Sequence, residues 1–163
     1  MRAILRRAVL GAAAATALAG AAAPMLAQTI GPGADGVISV KSAYGMDETI
    51  ARIRADIAAK GIMFFSAVDQ QKLAADAGIK LHPSTLLTFG NPPLGAQFLT
   101  ANAVSGLDWP VRLLVHQDDK GAVWATYTDF GWIAKRHGIT NRQQQFATAT
   151  GVVASITSTV RAQ

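Results

Sequence analysis

Apolar residues cluster or alternate in five short stretches along the chain, and between those stretches they recur at steps of three and four. This is the pattern of strands interleaved with amphipathic helices. Val37 to Tyr44 reads as a first strand, Ile62 to Val68 as a buried strand dense in apolar residues, and Ser84 to Phe89 as a third. Val111 to His116 and Ala122 to Thr128 alternate as two further strands, with Asp118-Asp119-Lys120-Gly121 as the hairpin turn between them. Ile50, Ile53 and Ile57 keep helical spacing while Arg52, Arg54 and Asp56 take the polar side, with Asp47 placed to cap this helix and Gly61 to follow its end.

A short helix from Gln70 to Ala77 stops at Gly78. Gly90-Asn91-Pro92-Pro93 is a strand-to-helix junction, with Asn91 as cap and proline in the first turn, where a missing N–H removes no helical bond. The helix it opens presents Leu94, Phe98 and Leu99, and Gly106-Leu107-Asp108-Trp109-Pro110 follows as a turn. Trp132 to His137 reads as a short helix ended by Gly138. Thr140 and Gln143 have capping-box spacing before a last helix carrying Phe146, Ala149, Val153, Ile156 and Val160. That last helix is rich in Thr, Ser and Val, which are poor helix formers, so packing must hold it. The expected fold is α+β: a single compact domain over residues 37–163, a mainly antiparallel sheet of about five strands with helices packed on it, without repeats or a second domain.

The first residues carry a different signal. Arg2, Arg6 and Arg7 precede an uncharged run from Ala8 to Ala23 made mostly of alanine and glycine, the layout of an export signal rather than of a membrane anchor. Cleavage after Ala27 fits the preference for a small residue there, although Met25 stands at the other recognition position, and Ala22 and Ala23 are alternatives. Arg6-Arg7 before Ala8-Val9-Leu10 resembles a twin-arginine signal, with Leu5 where serine or threonine is usual. The sequence thus predicts a signal over 1–27, a flexible leader over 28–36, and a periplasmic or secreted domain with no stable membrane anchor after cleavage.

Charge changes in meaning once the signal is set aside. The chain has 15 basic residues against 10 acidic ones, and without Arg2, Arg6 and Arg7 the basic count falls to 12. A net charge near +2 spread along the chain is no footprint for nucleic acid, which needs Lys and Arg gathered on one face. Cysteine is absent, which excludes disulfides, thiolate metal sites and cysteine nucleophiles.

Few chemical motifs survive their context. Gly31, Gly33 and Gly36 spell the dinucleotide fingerprint, yet they precede the first strand instead of joining a strand to a helix, and read as linker. His82, His116 and His137 lack the short spacing of metal ligands, and the mature chain keeps only Met46 and Met63, so no metal and no cofactor is expected. His116 is placed in a sheet and His137 against helix-end carbonyls. No serine stands in a Gly-x-Ser-x-Gly frame, Asp118 and Asp119 read as solvated turn residues, and Trp109, Trp124 and Trp132 as packing. No catalytic residue is assigned.

Phe64-Phe65-Ser66-Ala67-Val68-Asp69 and Ala77-Gly78-Ile79-Lys80-Leu81-His82-Pro83-Ser84-Thr85-Leu86-Leu87-Thr88-Phe89-Gly90-Asn91-Pro92 resemble the family called domain of unknown function 302. The resemblance continues through Gly106-Leu107-Asp108-Trp109-Pro110, Val123-Trp124, Tyr127 and Arg136-His137-Gly138, covering roughly residues 45–140. It implies a compact α/β fold and no established activity. Gln70 stands where the family often has histidine, so a role for that histidine does not transfer.

One junction points to a ligand. At Phe89-Gly90-Asn91-Pro92 a strand runs into a helix N-terminus, which favours an anion, although Pro92 and Pro93 remove two donors. A site for a small-molecule or anionic ligand would start at Asn91 and draw on Asp69, Tyr127, Arg136 and His137. Three classes of function stay open: a periplasmic ligand-binding or accessory domain without intrinsic catalysis as the leading one, an enzyme using Asp69, Asn91, Tyr127 and His137, and an interaction module such as a homodimer.

Overall fold

A computed structural model describes residues 29–162. The export signal read over 1–27 lies outside the described residues. The elements in chain order are β1 (Thr29–Ile30), β2 (Val37–Lys41), α1 (Met46–Ala59), β3 (Met63–Asp69), α2 (Gln70–Asp76), β4 (Ser84–Gly90) and α3 (Pro92–Ala101). A 3-10 helix (Ala103–Asp108), β5 (Val111–Gln117), β6 (Val123–Thr128), α4 (Phe130–Arg136) and α5 (Gln143–Ser158) complete the chain.

All strands join one antiparallel sheet in the order β1-β2-β6-β5-β4-β3. The alternation seen in sequence sets its faces: Ile38 and Val40, Leu87 and Phe89, Leu113 and Val115, and Val123, Ala125 and Tyr127 all point into the core. Against them pack Ile53 and Ile57 of α1, Phe98 of α3, Phe130 and Ile133 of α4, and Phe146, Ala149, Val153 and Ile156 of α5. The last helix is the centre of this layer, touching α1, α3 and α4, and Phe98 stacks on Phe146 at 4.2 Å between ring centres. Each large side chain buried there contributes roughly 1.5–3 kcal/mol, enough to outweigh the weak helix propensity of α5.

The α+β architecture is as expected, with one strand more than the five read from the sequence. Thr29–Ile30, placed in the leader, pairs with Val40 and Ser39 at the edge of the sheet. Gly31, Gly33 and Gly36 therefore sit in the connection between two antiparallel strands. Gly36 is in the left-handed region (φ +73°) with the Trp132 ring lying where a side chain would go.

Other local expectations change. The strand read as buried, β3, is an edge strand bulged at Phe65, with Met63 and Phe65 exposed, because the helices cover the central strands and an apolar run does not reveal which strand is last. The N-cap of α1 is Gly45, with no side-chain cap, while Asp47 and Glu48 lie in the first turn, where carboxylates suit the helix dipole. No reciprocal capping box forms at α5: Arg142 is its N-cap and the Gln143 amide donates to the Thr140 carbonyl instead.

Candidate functional site

A cavity with a volume of about 330 Å³ lies between the sheet and the helices. That is at the small end of ligand pockets, which span about 300–1,000 Å³. Its floor is the end of β4 (Phe89, Gly90) and Val111, one wall is α3 (Leu94, Gly95, Phe98) with Trp109, and the other is α5 (Thr148, Ala149, Val152, Val153). Phe130 and Ile62 close the remaining sides, and Lys60 and Asn91 stand at its exposed rim.

The sequence builds this cleft through two glycines. Gly90 ends β4 with the Trp109 indole 3.2 Å from where its Cβ would be, and Gly95 sits in the second turn of α3, where a Cβ would overlap the Nε1 and Cε2 atoms of the same ring. Trp109 thus lies flush against two stretches of bare backbone. Its edge also meets Phe65 at 5.9 Å between ring centres, in a T-shaped pair.

The rim is polar but largely satisfied. Asn91 caps α3 by accepting from the Leu94 N–H (3.3 Å), and its carbonyl accepts from Gly95 N–H (2.8 Å). With Pro92 and Pro93 lacking donors, the N-terminus of α3 offers an anion no free backbone N–H in its first turn. Thr148 Oγ1 donates to the Gln144 carbonyl (2.9 Å). Lys60, the C-cap of α1, extends its ammonium to Asp56 at 2.6 Å. Chemically the cleft can shelter an apolar body with a small polar end, its polar side chains being Lys60, Asn91 and Thr148.

A second cluster centres on Asp108, the end of the 3-10 helix. Its carboxylate is 3% exposed and accepts from Arg112 (2.8 Å), Arg136 (3.2 Å) and the ring of His137 (2.7 Å), which is itself 5% exposed. The carboxylate ties together the 3-10 helix, β5 and the C-terminus of α4. Asn102 adds a bond from its amide to the His137 carbonyl (2.9 Å).

Of the five residues expected to share a site, Asn91 alone lines the cleft. Arg136 and His137 meet each other on Asp108, so His137 takes a carboxylate rather than helix-end carbonyls as its partner. Asp69 lies at the far end of the β3–β4 ladder from Asn91 and caps α2 by accepting from the Lys72 N–H (2.8 Å). Tyr127 is buried in the inner face of β6, and burial pushes its phenol up, against a smaller opposing pull from the Thr157 hydroxyl. The four groups of the enzyme alternative are likewise not gathered in the cleft.

Each of the other two histidines has its own polar neighbour. His82 lies 3.4 Å from Asp119, and His116 is on β5 beside Thr126 (3.1 Å), its pKa lowered by burial despite the nearby Asp118 charge. Asp118 does form the hairpin turn, accepting from Lys120 and Ala122 N–H and from the Trp124 indole; that indole bond is the main reason its carboxyl is held below the usual range. Lys60, Gly95, Asp108 and Trp109 were not singled out as site residues. A glycine inside an apolar helix does signal close approach of another group, whereas a lysine at a helix end carries no signal beyond the helix dipole.

Comparison with known proteins places the fold and not the activity. Two relatives named fluoride-specific ion channel FluC 1, from Brucella suis and Brucella abortus, are each 38% identical over 104 residues, or 64% of this chain. The chain spans only 41% and 38% of the length of those proteins, and among the described residues no helix is long and apolar enough to cross a membrane. A solved structure of an uncharacterized conserved protein from Bacillus stearothermophilus superposes with a TM-score of 0.71 at 20% identity, covering 77% of this chain and 98% of that one. That structure is of a DUF302 protein, and the family model for domain of unknown function DUF302 matches residues 38–156. The chain belongs to the DUF302 family.

Proposed function

We propose that the domain binds a small, largely apolar molecule in the cleft between α3, α5 and the end of β4, and that it works as a binding or accessory domain without catalysis of its own. The observation that carries this is a cleft of about 330 Å³ walled by Phe89, Leu94, Phe98, Trp109, Val152 and Val153 and left unfilled by the protein's own side chains. Interiors pack to the density of organic crystals, and a cavity of about 150 Å³ already holds benzene. A void twice that size with an exposed rim favours occupation.

The Brucella relatives support the accessory part, because a segment similar to this chain is there joined to a longer protein bearing a channel's name. The place of action is outside the cytoplasm, as the charge and hydropathy profile of residues 1–27 predicts. N-terminal sequencing of exported protein is expected to read from near Gln28; recovery of chain beginning at Met1 would contradict it.

Filling the cleft tests the binding. Val152→Trp places an indole in the void from the α5 wall, and it is expected to abolish uptake of apolar probes while the melting temperature stays within a few degrees of wild type. Mass spectrometry of natively purified wild type and variant should find a co-purified small molecule on the former alone. Undiminished probe binding by a folded Val152→Trp protein would remove this cleft as the site.

A further inference from the structure

We infer that the ligand of this cleft is an amphipathic monocarboxylate, with its hydrocarbon body between Phe89, Phe98 and Val153 and its head group on the Lys60 ammonium; this rests on the cleft being a binding site at all. The charge pattern carries it. Lys60 is the one charged residue among those lining the cleft and is exposed, while Phe89, Phe98 and Val153 of the same lining are buried. An apolar body is therefore drawn inward and a negative head outward, onto the lysine.

The head carries a single charge, because Lys60 is the one cationic residue of the lining and no arginine fork is among the lining residues to grip a phosphate bidentately. The helix N-terminus beside it does not serve as the anion site. Pro92 and Pro93 have no N–H, and the Leu94 and Gly95 N–H groups already donate to the Asn91 side chain and carbonyl. Asn91 contributes its amide N–H group alone, a neutral donor beside the charged one. Lys60 is held by Asp56, both of whose carboxylate oxygens accept from it (2.6 and 2.7 Å). Asp56 does not line the cleft, so it holds the ammonium at the rim and competes with a bound carboxylate.

Octanoate and 1-octanol share a chain and differ in the head, and titration of each by calorimetry and by tryptophan emission separates the outcomes. Wild type is expected to bind octanoate about tenfold tighter than octanol, a margin that shrinks as salt is raised. Lys60→Met should erase the margin by weakening octanoate alone, and Asp56→Asn should widen it by freeing the ammonium. Equal affinity of wild type for the two probes, or an unchanged margin in Lys60→Met, would overturn the carboxylate assignment and leave the apolar site standing. Binding of neither probe would overturn both.

Discussion

Replacing Asp108 with alanine is expected to destabilise the protein by about 3 kcal/mol, the upper end of the cost of leaving a buried polar group without its hydrogen-bond partner. The carboxylate is nearly sealed from solvent and holds Arg112, Arg136 and His137 together. Its loss strands the His137 ring, 5% exposed, without a partner, whereas the half-exposed guanidiniums of Arg112 and Arg136 can turn to water. The penalty therefore falls on the link between α4 and the 3-10 helix.

Asp108→Asn keeps one acceptor oxygen and is expected to lose about half as much. Urea unfolding of the three proteins measures both; a loss below about 1 kcal/mol for the alanine variant would show that the carboxylate is not an anchor. The consequence reaches the cleft, because Trp109 follows Asp108 directly and forms one of its walls. Probe binding should weaken in Asp108→Ala even though Asp108 touches no ligand.

What the sequence revealed and what it concealed follow from the range of each interaction. Five strands were legible because an apolar run, or alternation as at Leu113 and Val115, is a local consequence of the pleat. The cap at Asn91 acts over three residues and is equally local; Asp69, expected at a ligand, caps α2 over the same range, its carboxylate committed to the Lys72 N–H. The edge position of β3 was hidden, since Met63 to Val68 would look the same in the middle of a sheet.

The site residues split along the same line. Arg136 and His137 were chosen for their donors, and the structure supplies the acceptor, Asp108, from 28 and 29 residues away in the chain. Lys60 and Asn91 are brought to one rim only by the antiparallel pairing of Met63 with Gly90, a contact between strands that no local pattern specifies. The cleft itself is a property of three helices and a sheet at once. The sequence held its components without a sign of their distance.

Gly95→Ala is expected to destabilise the protein by about 2 kcal/mol, reversing the sign that the same change has in an ordinary helix. In a helix interior alanine is favoured over glycine by roughly 1 kcal/mol, through lower backbone entropy in the unfolded chain and a better propensity. Gly151, exposed on α5 with nothing within 4 Å of where a Cβ would stand, provides that case, and Gly151→Ala is expected to stabilise by somewhat under 1 kcal/mol. At Gly95 the new methyl would overlap the Trp109 indole, a rigid double ring that also packs against Gly90 and Phe65 and lines the cleft. Gly95→Ala should therefore lower the melting temperature, shift tryptophan emission and reduce the capacity for apolar probes together, whereas Gly151→Ala should raise the melting temperature and leave binding unchanged. Equal stabilisation by both substitutions would mean that Trp109 does not pack on bare backbone at Gly95, and the wall of the cleft would have to be drawn elsewhere.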